Sequence, residues 1–516
     1  MRKSGILLAI SSLPSKYGIG TFSKEAYAFV DFLHASGQGL WQILPLGPTG
    51  YGDSPYQSFS TYAGNPYYID LEEFIEKGYL TEEDCKTCER GNVTEVDYEN
   101  IFFKKFALLR KAYDNSDIEK EEDYQDFVAK NRWWLEDYAL YMAIKDANEG
   151  KSWIEWEADI KLRKPDALEK CKRELKEEIA CYCFQQYFFA KQWKALKEYA
   201  NEKDIQIIGD IPIYVALDSA DTWANPEQFQ LKKDGTPKAV AGCPPDAFSA
   251  TGQLWGNPLY RWKDMKRDEY AWWINRIRHS YELYDIVRID HFRGFDEYYS
   301  IPYGDETAEF GHWEKGPGYA LFKTIAKELG SIRIIAEDLG FLTPSVLKLV
   351  EKTGYPGMKV LQFAFDSSGE SAYLPHKYPR NTVVYTGTHD NDTTVSWYEN
   401  QSDEDKAFVR EYLGLDDIMN MQDACEHSAC EDKSTCGEHS SCEGELVCES
   451  MIRAALSSVA DTAIIPLQDY LKLGGKARMN EPSTLGKNWK WRMEADCLTD
   501  ELAQEIYRMC KIYGRV

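Results

Sequence analysis

The chain has 516 residues, enough for two or more cores or for one barrel with large insertions. Its 60 Lys and Arg stand against 85 Asp and Glu, and the resulting net charge of −25 repels a phosphate backbone and argues against nucleic acid as a partner. Aromatic residues make up 14%, with 15 Trp and 34 Tyr, which suits neutral, hydroxyl-rich ligands that stack on rings and hydrogen-bond at their edges.

The start, Met1-Arg2-Lys3-Ser4 followed by the apolar run 5–10, has the outline of a secretory signal. The run is too short for one, however, and leads into Ser11-Ser12-Leu13-Pro14 with no small-x-small cleavage site. No stretch approaches the roughly 18 apolar residues of a membrane span, so no membrane partner is expected. Thirteen Cys, odd in number and without a regular framework, fit reduced thiols in the cytoplasm.

Short Ile- and Val-rich runs recur along the chain, each closed by polar or Gly residues and most separated by helical patterns. They predict a parallel sheet covered on both faces. In chain order they are 5–10, 39–46, 205–215, 285–292, 332–339, 357–365, 382–390 and 461–467. Eight is the number that closes an α/β (β/α)8 TIM barrel, here a single catalytic barrel over 1–516 with large, mainly helical insertions between its strands. Uneven spacing locates the insertions. Residues 47–204 read as an inserted helical subdomain carrying Trp133, Trp134, Trp153 and Trp156; residues 216–284 read as a loop and helix region covering the cleft. Within the latter, the Gly- and Pro-rich stretch 242–258 predicts a long ordered loop. A third insertion, 415–450, is acidic and Cys-rich.

Barrel enzymes place their chemistry at the C-terminal ends of the strands. Acids stand at four of those ends: Asp210 in GDIP of the third run, Asp290 in VRIDHF, Glu337 and Asp338 in IIAEDL, and Asp390 and Asp392 in TGTHDND. Arg288 and Asp290 are two apart on a strand and share a face, so the cation favours the charged carboxylate that a glycosidic nucleophile needs. Retaining chemistry wants a second, protonated carboxyl about 5–5.5 Å away, a place that the neighbouring fifth strand can supply. A competing reading makes Arg288 and Asp290 a buried ion pair closing the barrel, with the other acids as caps. Spacing alone does not choose between Glu337 and Asp338, or between Asp390 and Asp392.

Around these residues the chain resembles the amylomaltases and plant disproportionating enzymes of glycoside hydrolase family 77. The resemblance rests on SSLPSKYGIGTF (11–22), WQILPLGPTGYGDSPYQSFSTYAGNPYYID (41–70), GDIPIYVALDSADTWANP (209–226), PPDAFSATGQLWGNPLY (244–260), VRIDHFRGF (287–295), IIAEDLG (334–340), YPGMKVLQFAF (355–365), TGTHDND (386–392), ARMNEPST (477–484) and NWKWR (488–492). It implies Asp290 as nucleophile, Glu337 as general acid/base and Asp390 as the residue holding sugar hydroxyls at the transition state. It further implies Arg288, His389 and Asp210 beside these acids and Tyr56 as an aromatic sugar contact. Trp255 would lie in a mobile loop over the cleft, with Asn480 and Pro482 in the loop facing it. His291, next to the nucleophile but on the opposite strand face, is expected to be structural.

The implied activity is 4-α-glucan transfer from a donor to a malto-oligosaccharide or glucose acceptor, through a covalent glycosyl-enzyme. The rival reading is an α-1,4-glucan hydrolase, since the same acids activate water equally well. No metal, nucleotide or organic cofactor is implied. The chain departs from the family pattern after Leu413-Gly414, where Cys425, His427, Cys430, Cys436, His439, Cys442 and Cys448 lack the spacing of ordinary zinc sites. A solvated insertion is expected there. The pair Cys85 and Cys88 is given no redox role.

Overall fold

The computed structural model describes residues 2–91, 93–245, 249–340, 342–416 and 439–516. Most of the expected 415–450 insertion, including Cys425, His427, Cys430 and Cys436, lies outside the described residues, as do the side chains of His439 and Cys442.

Twelve strands occur among the described residues: β1 (Lys3–Leu7), β2 (Leu40–Gln42), β3 (Gln206–Pro212), β4 (Ala239–Cys243), β5 (Gln253–Pro258), β6 (Ile286–Asp290), β7 (Glu297–Pro302), β8 (His312–Lys315), β9 (Ile334–Ala336), β10 (Gly357–Val360), β11 (Thr382–Tyr385) and β12 (Thr462–Pro466). Eight of them pair in the order β10-β11-β12-β1-β2-β3-β6-β9, every pair parallel. The seam between β9 and β10 is closed by Ala336 N–H donating to Pro356 O at 2.9 Å and by Met358 N–H donating to the Asp338 carboxylate at 2.7 Å. The result is the (β/α)8 barrel expected from the sequence. Each of the eight apolar runs coincides with one barrel strand, β1 starting two residues before its run, and the strands are shorter than the runs. Apolar content follows burial, and buried residues continue past the ladder into one-turn 3-10 helices such as Ile10–Ser12 and Leu361–Phe363.

Local signals set the helix ends. After β9, Thr343 caps helix Pro344–Thr353 from its side chain, Pro344 occupies the first turn, and Gly354 stops the helix in the left-handed conformation at φ 71°. The 47–204 stretch is helical, with long helices at Tyr98–Asp114, Glu122–Ala147 and Lys176–Glu202. On β3, a Cβ at Gly209 would lie 2.1 Å from the Tyr284 ring, so only glycine lets that ring close against the strand beside Asp210.

The 216–284 stretch contributes β4 and β5 to a second, antiparallel sheet in the order β5-β4-β7-β8, whose other two strands follow β6. Within the predicted long loop 242–258, residues 242–243 end β4 and residues 253–258 form β5, which pair antiparallel, while residues 244–252 lie between the strands. Its Gly and Pro residues mark the turn, while the flanking strand is too short to announce itself by alternation.

Candidate active site

Strand register brings the acids together. Asp210 pairs with Arg288 and Pro212 with Asp290 across β3 and β6, and Ile289 pairs with Ala336 across β6 and β9. Asp290 and Glu337 are the next residues on these neighbouring strands, one strand spacing of about 4.8 Å apart. The ladder holds there: Glu337 N–H donates to Ile289 O and Phe292 N–H to Glu337 O, each at 3.1 Å.

Arg288 lies inside the barrel and serves two acids. It donates from Nη1 to Asp210 at 2.5 Å and from Nη2 to Asp290 at 3.0 Å. Burial works against its charge, but Asp210 and Asp290 outweigh burial and hold the guanidinium well above its ordinary pKa. The Arg288–Asp290 ion pair of the competing reading forms, but its acid is 31% exposed, and the fully buried pair is Arg288–Asp210, which that reading assigned to a cap.

Glu337 differs in its surroundings. Burial first, then the neighbouring Asp290, push its pKa up to about 8 against Arg288 and two backbone donors. Those donors are His291 N–H at 2.7 Å and Leu339 N–H at 2.9 Å. His291 aims its N–H at Glu337 from a left-handed conformation, φ 57°, at the turn after β6. Burial lowers its ring to about 4, so the imidazole is neutral. Expected to be structural, His291 thus touches the acid through its main chain.

The turn after β11 carries the third acid. Burial opposes the charge on Asp390, yet His389, Asn480 and Arg288 outweigh it and hold the carboxyl far below its usual range. Asn480 Nδ2 donates to Asp390 at 2.6 Å, His389 Nε2 lies 3.2 Å from it, and Arg478 donates to the Asp390 carbonyl at 3.2 Å. Tyr56 ties this side to the barrel, its hydroxyl donating to Asp210 at 2.8 Å and lying 2.9 Å from His389 Nε2.

Geometry also separates the paired acids that spacing left open. Asp338 is spent on the barrel seam. Asp392 accepts from Thr393 N–H and Ser396 Oγ, both at 2.8 Å, at the start of helix Thr394–Glu399. Neither joins the cluster around Arg288.

Sequence comparison agrees in extent with this geometry. The family described as 4-alpha-glucanotransferase matches residues 8–499. The chain belongs to glycoside hydrolase family 77. It is 50% identical over 509 residues to a 4-alpha-glucanotransferase of Clostridium butyricum, covering 98% of this chain and 99% of the relative. The similarity to a Thermus thermophilus 4-alpha-glucanotransferase is 44% over 521 residues, covering 100% and 99%. Among solved structures, amylomaltase from Streptococcus agalactiae in complex with acarbose superposes with a TM-score of 0.91 at 41% identity, each chain covered in full.

In this family 77 barrel, Trp255 and Pro482, the remaining expected residues, are placed differently. Trp255, on β5, is half-buried and meets the His291 ring edge-on at 4.8 Å. Pro482 is exposed in the turn two residues past Asn480, outside the hydrogen-bonded cluster. Trp489 was not singled out from the sequence. Its ring lies 5.8 Å from Tyr56 and 6.0 Å from His389, and the NWKWR string was the signal that pointed to it. Two ring nitrogens beside the acids, His291 Nε2 and His389 Nδ1, and the Asp210 Oδ1 atom are buried without a partner.

Among the described residues no group of three or more His, Cys, Asp or Glu is placed to hold a metal ion, and no helix is long and apolar enough to cross a membrane. Cys85 and Cys88 are buried free thiols, and burial pushes Cys85 up to about 11, away from the reactive thiolate.

Proposed function

We propose that the chain moves α-1,4-glucan segments from donor to acceptor by a retaining double displacement, with Asp290 as nucleophile and Glu337 as acid/base. The observation that carries this reading is a Glu337 that keeps its proton at neutral pH, one strand spacing from an Asp290 paired with Arg288. Retention is the outcome expected of two carboxyls about 5–5.5 Å apart, whereas inversion leaves room for a water between them.

In the first step a carboxylate oxygen of Asp290 attacks the anomeric carbon as the glycosidic C–O bond breaks, and the departing oxygen takes the Glu337 proton. The reducing-end fragment leaves, and the rest of the donor stays as an ester on Asp290. In the second step the 4-hydroxyl of an acceptor gives its proton to the Glu337 carboxylate while its oxygen attacks the same carbon, and the ester bond breaks back to Asp290. Asp390, held charged by His389 and Asn480, accepts hydroxyls of the reacting sugar and offsets the positive charge that develops on it. Trp255 and Tyr56 supply ring surface that favours a sugar over water as the second-step acceptor.

Malto-oligosaccharides and free glucose are the expected acceptors. Among the described residues, the free thiols of Cys85, Cys88, Cys171, Cys181, Cys183, Cys448, Cys497 and Cys510 support a reducing compartment, the cytoplasm. Incubation with maltotriose tests the reading: a ladder of longer oligomers with reducing ends conserved supports transfer. Shorter sugars alone, with reducing ends rising, would mean hydrolysis.

A further inference from the structure

β11 ends at Tyr385, and the turn that follows carries His389 and Asp390 before helix Thr394–Glu399 begins. Asn391 sets the inner shape of this turn, its Oδ1 accepting from Thr388 N–H and Thr388 Oγ1, both at 2.9 Å. Those bonds close the turn on itself but do not fix where it sits. Asp469, in the one-turn helix Leu467–Tyr470 after β12, joins it to the barrel. Its Oδ2 accepts from Thr386 Oγ1 at 2.6 Å and from Thr394 Oγ1 at 2.8 Å, and its Oδ1 accepts from Thr394 N–H at 2.8 Å. Thr386 precedes the turn and Thr394 follows it, so one carboxyl grips both ends.

The three side chains are at most 1% exposed. Burial pushes the Asp469 carboxyl above its usual range, against the bonds from Thr386 and Thr394. All three donors are neutral, so these bonds do not make an ion pair; what they fix is the position of the turn. The neighbouring Gln468 reaches the loop that holds Asp390, its Nε2 donating to Ala477 O at 3.3 Å, just before Arg478 and Asn480. The turn and the residues that bond Asp390 are thus both tied to the segment after β12.

We infer that Asp469 is a positioning residue for the transfer reaction: by bonding Thr386 and Thr394 it sets the turn that aims the Asp390 carboxylate at the hydroxyls of the reacting sugar. It acts through Asp390 and touches no substrate itself. The inference rests on the transferase reading above, in which Asp390 stabilises the transition state. A group with that task tolerates little displacement, since a shift of about 1 Å costs about 10²-fold.

A double-mutant cycle with Asp390→Asn tests it, read as kcat/KM for fluoride release from α-maltotriosyl fluoride. Asp469→Ala lowers this value about 10²-fold when Asp390 is present and less than about three-fold when Asn replaces it, because the two residues act as one unit. Asp469→Asn stays within about five-fold of the parent, its amide oxygen accepting Thr394 N–H and its amide nitrogen donating to the threonine hydroxyls. Equal losses from Asp469→Ala in the two backgrounds overturn the inference, since a folding defect lowers the active fraction of both alike. An Asp469→Asn as impaired as Asp469→Ala overturns it too. Should Asp469→Ala fail to fold, the nearly isosteric Thr386→Val removes one bond of the three and decides the matter. About five-fold loss with Asp390 present and none with Asp390→Asn supports the inference, and equal losses overturn it. Fluoride release counts turnover to sugar and to water alike. The cycle therefore decides on Asp469 even if maltotriose gives no longer oligomers, the result that would refute the transferase reading.

Discussion

Asp210 and Arg288 are at most 3% exposed and bonded at 2.5 Å inside the barrel, whereas Trp255 reaches the same site from a hairpin through a ring edge against His291. The floor of the cleft is built by strand register, backbone donors and buried ion pairs, all fixed once the barrel closes. The roof is attached through the second sheet, where β4 pairs with β7, and through links such as Asn257 Nδ2 to Val215 O at 2.9 Å and Ala308 N–H to Thr251 O at 3.0 Å. A floor of this kind decides whether the glycosidic bond breaks. The roof decides which hydroxyl completes the reaction.

The largest effect tests the floor. Asp290→Asn keeps the shape of the carboxyl but cannot form the ester, and it lowers maltotriose disproportionation by about 10⁴-fold or more with the fold intact. Loss of less than ten-fold, with deamidation excluded by mass spectrometry, would break the comparison.

Glu337→Gln comes next, with a loss of about 10²–10⁴-fold on maltotriose. In the parent, transfer declines as pH rises through about 8, because the acid loses its proton there. Stability follows the same sign: the folded state binds this proton more tightly than the unfolded chain, so stability falls from the ordinary carboxylate range up through about 8. Glu337→Gln removes that loss, and its Tm advantage over the parent is larger at pH 9 than at pH 5. Equal Tm differences at the two pH values would place Glu337 in a less buried, ordinary setting.

The barrel was legible because each buried strand leaves an apolar run. What the runs hid was the exact strand length, since Ile10 and Leu361 are as buried as their strand neighbours but lie beyond the ladder. The acids were legible as strand ends, yet adjacent acids were not separable. Glu337 and Asp338 differ by a bond from Met358 N–H across the seam, which only the closed barrel forms, and Asp390 and Asp392 by a bond from Ser396 Oγ, which only the helix after β11 presents. The part played by His291 was hidden for another reason: its contact with Glu337 is made by backbone in a left-handed turn, which side-chain alternation does not report.

Trp255→Ala sharpens the role of the roof. Total transfer falls by roughly ten-fold while the ratio of hydrolysis to transfer rises, measured as new reducing ends per transfer event because transfer itself conserves them. Parallel loss of both activities at an unchanged ratio would make Trp255 a packing residue. The smallest effect is expected from the acidic, Cys-rich segment: replacing residues 417–438 with a short Gly-Ser linker leaves maltotriose disproportionation within about three-fold, as long insertions add little closure cost. A larger loss, with zinc bound to the parent and absent from the deletion, would restore the metal reading of that segment.

The central claim is that Asp290 carries the sugar between donor and acceptor. Its most direct test uses α-maltotriosyl fluoride with Glu337→Gln: fluoride departs without an acid, but the missing base slows release of the sugar, so the intermediate accumulates. Peptide mass spectrometry is predicted to find a maltotriosyl ester on Asp290, and none when Asp290→Asn is added. An adduct on a different carboxylate, or steady fluoride release with no adduct at all, would contradict the account.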